Sequence, residues 1–303
     1  MTRDLDTRDF TRNRATPQRA TELQTLATMI SDRLPGGHRI AIERLDPATG
    51  NAAHIVSRAS PPSTDRNFVQ RALRHVRAIA PAIGLTNQAI DFVAGAALER
   101  TASGAHAVHL QQRYKAVPVF QATITVRFAP DGRLQDTSGQ TINVARDASA
   151  VPRRSVEDAV RAAAIYAGGP ADGELDAGAS PALDLAGFEP RIRTAAANVP
   201  ERACVLEPGP FGAEIKANLV WFARGDQLVL GWRVVLAIVA GGPYDQVIVD
   251  AGTALPLYCR RISPLPTGTG HRADRDALAI SSPAHAGGDQ QGRAGAADRS
   301  STG

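Results

Sequence analysis

Lysine is nearly missing from this 303-residue chain: Lys115 and Lys216 stand alone among 34 cationic side chains, the rest being arginine. The arginines are dispersed among 30 carboxylates. No clustered basic footprint forms, which excludes recognition of nucleic acid through its phosphates. Cysteine is almost as scarce. Cys204 and Cys259 are too few for a disulfide framework and read as two ordinary thiols, with pairing left open if the chain meets an oxidising compartment. Long apolar runs are lacking too. The longest, Leu228 to Ala240, is interrupted by Trp232-Arg233 and falls short of the roughly 20 residues of a spanning helix, so no membrane span of that kind is expected. Met1 to Arg14 is charged and holds no conventional export signal.

The motifs of catalysis are missing as well. No histidine is followed by glutamate, so there is no H-E-x-x-H helix to offer two zinc ligands and a general base. No G-x-S-x-G elbow occurs, and neither cysteine sits in a reactive motif. The pair His106-Ala-Val-His109 is the closest approach to a metal site. It lies in a strand pattern, however, where residues three apart point to opposite faces and cannot share one ion. The histidines at 38, 54, 75, 271 and 285 read as solvated surface. Asp245, Asp250 and Glu157 read as turn formers and helix caps rather than acid/base pairs, and Pro266 to Gly270 reads as linker rather than phosphate loop. The expected catalytic, metal-binding and cofactor-binding sets are therefore empty.

What is present is punctuated secondary structure. Thr16-Pro17 opens a helix carrying Leu23, Leu26, Ala27, Ile30 and Leu34, which Pro35-Gly36-Gly37 ends. His38–Leu45 and Ala52–Arg58 form a hairpin. After the Ser60-Pro61-Pro62-Ser63 linker, Asp65 caps a helix with Phe68, Ala72, Leu73, Val76 and Ile79 on one face, and a shorter helix is expected over Asn87 to Ala97. His106 to Thr141 reads as a β-meander, with Ile124, Val126 and Phe128 alternating against Thr123, Thr125 and Arg127, and with Asp131-Gly132 as its turn. Ser155 to Asp158 caps a third helix bearing Val156, Ala159, Val160 and Ala163. About 20 residues after Gly168-Gly169-Pro170 read as an insertion loop. Strands follow at Ala203–Glu207, Asn218–Arg224, Leu228–Val239, Gln246–Asp250 and Leu255–Ile262. Residues 1 to about 15 read as loose, and 263–303 as a disordered tail. Helices lead and strands follow, so the expected class is α+β: two helix-plus-antiparallel-sheet modules and a disordered C-terminal tail. The expected division is a leader helix and hairpin (1–60), a first module (65–145), a second module (155–262) and the tail (263–303).

The meander carries more than alternation. His109-Leu-Gln-Gln-Arg-Tyr-Lys-Ala-Val-Pro-Val-Phe-Gln121, followed by Val126 to Leu134, resembles the fungalysin/thermolysin propeptide domain. The matching residues are Gln112, Tyr114, Val117, Pro118, Val119, Phe120, Asp131 and Gly132, while Ala116 and Gln121 stand where that family has glycine and are expected to continue the strand. Trp232-Arg-Val-Val, then Tyr244 to Thr253 with Val249 and Asp250, resembles a PepSY-type strand and hairpin, with Ala254 in place of a glycine. The opening Asp6 to Phe10 and the helix Phe68 to Ile79 resemble the leader of bacterial fungalysin-type zinc metallopeptidases.

The resemblance implies a pro-region: an inhibitor and folding assistant of a fungalysin-like peptidase domain, in cis or in trans. That peptidase would bind the zinc, and this chain would need no cofactor. The family is typically secreted. The expectation is a non-enzymatic, zymogen-type module whose chain stops where the zinc domain would begin, through truncation or a frame shift after about Arg261. Two alternatives remain at this point: a stand-alone protein-binding module, and a family-labelled metalloendopeptidase lacking its catalytic part.

Overall fold

The computed structural model describes residues 4–8, 14–144, 147–168, 183–196, 198–225 and 227–262. The segments 263–303, with Pro266 to Gly270, His271 and His285, and 9–13, with Phe10, lie outside the described residues. Among those described, three α-helices pack on a large, mostly antiparallel sheet, an α+β architecture.

The first half of the chain builds one core. Helix α1 (Pro17–Ser31) starts where expected: Thr16 is the N-cap, its hydroxyl accepting from the Arg19 N–H at 3.1 Å, with proline in the first turn. Its inner face, Leu23 and Ala27, is fully buried. The hairpin of β2 (Arg39–Leu45) and β3 (Ala52–Arg58) follows. Helix α2 (Phe68–Ile79) is capped by Asn67, which accepts from the Gln70 N–H at 3.1 Å. Asp65 is not the cap. Its carboxylate accepts from the Asn67 N–H at 2.8 Å and so fixes the approach to the helix.

The helix expected over Asn87 to Ala97 is a strand instead, β4 (Ile90–Arg100), paired antiparallel with β5 (His106–Tyr114). Ile90 and Phe92 face the core on a period of two, and the long-range ladder outweighs weak local helix propensity. Then β6 (Val117–Phe128) and β7 (Leu134–Gly139) complete the meander, and β7 pairs with β3. Ile55, Val76, Ile79, Leu110, Ile124, Val126 and Phe128 form the interior between these strands and the two helices.

The second half repeats the theme. Helix α3 (Val156–Gly168) is capped by Ser155, whose hydroxyl accepts from the Asp158 N–H at 3.1 Å. Its face Val156, Ala159, Val160 and Ala163 lies on β9 (Cys204–Leu206), β10 (Ile215–Arg224), β11 (Gln227–Ala237), β12 (Tyr244–Asp250) and β13 (Pro256–Ile262). Two strands were not foreseen. β8 (Ile192–Ala195) pairs with β9, and β1 (Leu5–Asp6), in the segment read as loose, pairs with β13. The described end of the insertion is not a solvated loop either. Leu183, Leu185 and Phe188 pack on the α3 core.

No disulfide joins the buried Cys204 and Cys259, and burial, aided by Glu157, pushes the Cys204 thiol up to about 11, in keeping with an unreactive thiol. No described helix is long and apolar enough to cross a membrane.

Two histidines expected at the surface are buried in the first core. The rings of His38 and His75 stack at 5.9 Å, and His75 Nε2 lies 3.0 Å from the Thr137 hydroxyl. Burial, and then the neighbouring His38, pushes His75 from 6.5 down to about 3. Burial also lowers His38. Both folded values lie below the unfolded one, so the neutral rings stabilise the fold. That contribution is complete above about pH 6.5 and drains as the pH falls toward 3, at about 1.4 kcal/mol per unit for each ring held neutral. Urea midpoints should therefore drop steeply between pH 7 and pH 4.5, and His75→Gln should flatten the slope; equal slopes for the two proteins would refute this account.

Candidate functional site

The two cores meet in one strand pair. From β6, Val117, Val119 and Ala122 enter the α3 core, while Ile124, Val126 and Phe128 enter the other. From β5, Tyr114 enters the α3 core, and Val108 and Leu110 the other. The crossing needs an irregular ladder. Gln111 pairs with Thr123, but Arg113 pairs with Pro118, so residues 119–122 bulge away from β5. Val119 uses the excursion to form a parallel bridge with Trp221 of β10, the one register pair among the described residues that ties the two parts of the sheet together.

Side chains close the gap. The Gln111 amide nitrogen lies 2.9, 2.8 and 3.0 Å from the carbonyl oxygens of Gln112, Val119 and Ala122. Gln112 is fully buried and spends both ends of its amide on one residue: Nε2 donates to the Ile142 carbonyl at 2.6 Å and Oε1 accepts from the Ile142 N–H at 2.9 Å. The Tyr114 carbonyl accepts from the Trp221 indole N–H at 2.8 Å, and the two rings pack at 5.4 Å. The Tyr114 hydroxyl donates to Asp147 at 2.5 Å, and burial, then that carboxylate, raises the phenol above its usual range. Lys115, 2.6 Å from the same carboxylate, holds Asp147 below its usual range, with the Tyr114 hydrogen bond contributing next.

Phe120 points to the opposite side of the sheet, packing on Phe222 and Tyr258. At the far end of the meander, Asp131-Gly132 forms the expected turn, with Gly132 at φ +80. A Cβ there would stand 2.2 Å from the Ser63 carbonyl oxygen, so glycine is required by contact as well as by φ.

The resemblance residues of the last strands lie elsewhere. Val249 is fully buried in the α3 core together with Tyr114, Val117 and Val119. Asp250 accepts from the Gly252 and Thr253 N–H groups at 2.6 and 3.1 Å, forming the turn after β12. Tyr244 opens β12 at its other end, so these three residues make no common site. Asp245 is not a turn former but a buried strand carboxylate, accepting from Arg261 Nε at 3.1 Å. His106 and His109 fall on opposite faces. The first stacks on Phe68 at 4.2 Å; the second lies 2.9 Å from the Thr125 hydroxyl and 3.1 Å from Glu99.

One expectation is overturned in detail. Ala116 and Gln121 do not continue extended backbone: they sit at φ +63 and +57, and Ala254, the third residue in a glycine's place, sits at φ +63. At all three positions the chain adopts a left-handed conformation with a residue that bears it as strain.

With this geometry in place, comparison is informative. Residues 99–141, from the end of β4 to just past Gly139, match the model of the Fungalysin/Thermolysin Propeptide Motif. The chain carries a fungalysin/thermolysin propeptide motif. No curated protein matches the chain. Among solved structures it is similar to the Bacillus megaterium YpeB C-terminal domain, at 10% identity and a TM-score of 0.32, over 84% of this chain and 100% of that one. Sequence reasoning missed the roles of Gln111 and Trp221. The signal for Trp221 was an indole within the apolar run Leu219 to Ala223; Gln111 had none, since its work depends on a bulge that spacing does not reveal.

Ala116 is exposed at its turn, so replacing it changes backbone strain and little else. Ala116→Gly should raise stability by about 0.5–1 kcal/mol. The check is a shift of the urea midpoint to higher concentration at unchanged slope, and a lower midpoint would contradict the strain argument.

Proposed function

We propose that this chain is a propeptide-like module of two helix-plus-sheet units that binds a fungalysin/thermolysin-type peptidase domain, holds it inactive and assists its folding. The observation that carries the reading is the propeptide motif at residues 99–141, whose side chains are spent on holding sheet and helices together. Gln112, Tyr114, Val117 and Val119 are committed to internal contacts, so the motif acts as a frame and the partner is met elsewhere.

Inhibition is then steric, through an exposed strand edge laid against the peptidase by β-addition. The edge beside β13 is partly taken by β1, which moves the favoured contact to β8. All four residues of β8 are exposed, it pairs with β9 alone among the described residues, and Ile192 is 43% accessible. The zinc chemistry belongs to the partner, and this chain needs no cofactor of its own.

Purified full-length chain titrated against a thermolysin-type peptidase should inhibit it and raise its refolding yield, and Ile192→Asp should weaken inhibition at least tenfold. A chain that neither inhibits nor assists refolding would overturn the reading. Inhibition untouched by Ile192→Asp would move the contact away from β8.

A further inference from the structure

The side of the second sheet opposite α3 holds three rings, Phe120, Phe222 and Tyr258, with Phe120–Tyr258 centroids 5.0 Å apart and Phe120–Phe222 6.2 Å apart. The Arg8 guanidinium lies over all three, at 5.8, 5.8 and 5.4 Å from their centroids. Its Nη1 donates to Gln121 Oε1 at 2.6 Å, and Asp6 bonds its other nitrogens. Rings on three sides and a carbonyl-type acceptor make a receptacle for a planar cation.

Backbone pairing leads into that receptacle. Leu5 and Asp6 stand opposite Cys259 and Tyr258, and the Thr7 N–H and hydroxyl both donate to the Leu257 carbonyl, at 3.0 and 2.9 Å. The resident strand is two residues long, whereas β13 runs for seven. Gln121 reaches Arg8 from a left-handed backbone position, φ +57, and a glycine there would leave the guanidinium without this acceptor. Strained backbone positions cluster where side chains clamp a ligand.

We propose that the edge of β13 and the Phe120–Phe222–Tyr258 receptacle form a docking slot for an extended polypeptide segment carrying an arginine three residues after an apolar residue. The chain's own Leu5-Asp6-Thr7-Arg8 is the resident occupant and the competitor of any segment offered in trans. Ladder bonds fix the direction of the segment and the rings select its arginine. The slot is separate from the β8 edge, so it stands or falls independently of peptidase inhibition.

The test uses the full-length chain and a fluorescein-labelled peptide of residues 1–14. Thr7→Pro/Arg8→Ala disarms the resident segment by removing one ladder donor and the cation. The disarmed chain should bind the peptide at least tenfold more tightly than the wild type, and the same peptide with Arg8→Ala should bind at least tenfold more weakly. Equal affinity of the two peptides, or no gain on disarming a chain whose circular dichroism is unchanged, would overturn the slot. If the double variant does not fold, Gln121→Ala decides: amide exchange at residues 257–259 should accelerate at least tenfold with the rest of the sheet unaffected, and unchanged protection there would overturn the proposal.

Discussion

The indole N–H of Trp221 donates to the Tyr114 carbonyl, and among the described residues the sheet runs from one part to the other through that contact and the Val119–Trp221 bridge beside it. A buried indole N–H left without a partner costs about 1–3 kcal/mol, so the bond fixes where β10 must lie relative to the β5–β6 turn. Everything else is arranged to let β6 reach that place. The bulge frees residues 119–122 from β5, Gln111 supplies the carbonyls left behind with a donor, and Gln112 holds the segment after β7 out of the way. Two helix-covered cores can thus share one sheet without either being interrupted.

This arrangement explains why the stretch 99–141 is rich in turn-forming and small apolar residues. Its residues are consumed by geometry. Val117 and Val119 point into one core and Phe120, by ordinary strand alternation, to the other side of the sheet; the positive φ at Gln121 falls within the bulge, after which Ala122 rejoins the core of Val117 and Val119. Glycine adopts such a φ without strain; Gln121 adopts it with strain and adds an amide that Arg8 uses. The substitution changes a passive hinge into a contact while leaving the path of the chain intact.

Most of the architecture was legible because local rules and tertiary demands agree. Thr16-Pro17, Ser155 and Asp131-Gly132 act where their chemistry says they should. The exceptions share a cause. Ile90 to Arg100 has a pattern compatible with helix or strand, and only its partner β5 decides; Leu5-Asp6 is too short to announce itself and exists because β13, some 250 residues on, offers an edge. His38 and His75 look like surface residues because polarity is a poor guide when two rings stack and one finds a hydroxyl. The job of the motif residues was not legible, since a bulge and a bridge are properties of pairs of strands.

The contacts a partner can make are limited by the edges the sheet leaves open. At one end α1 lies along β2, and the Gln24 amide accepts from the Ile42 N–H at 3.2 Å, taking a donor the edge would otherwise offer. On β4 the register shift between Ala94 and Leu98 breaks the run of evenly spaced backbone groups that an added strand needs. Beside β13 the chain supplies its own short strand. β8 has no such guard among the described residues: its pairing is with β9 alone, and its side chains face solvent. Exposed edges invite uncontrolled pairing unless they are blunted, and a sheet that blunts three of its margins by three different devices leaves β8 as the margin most open to an added strand among the described residues.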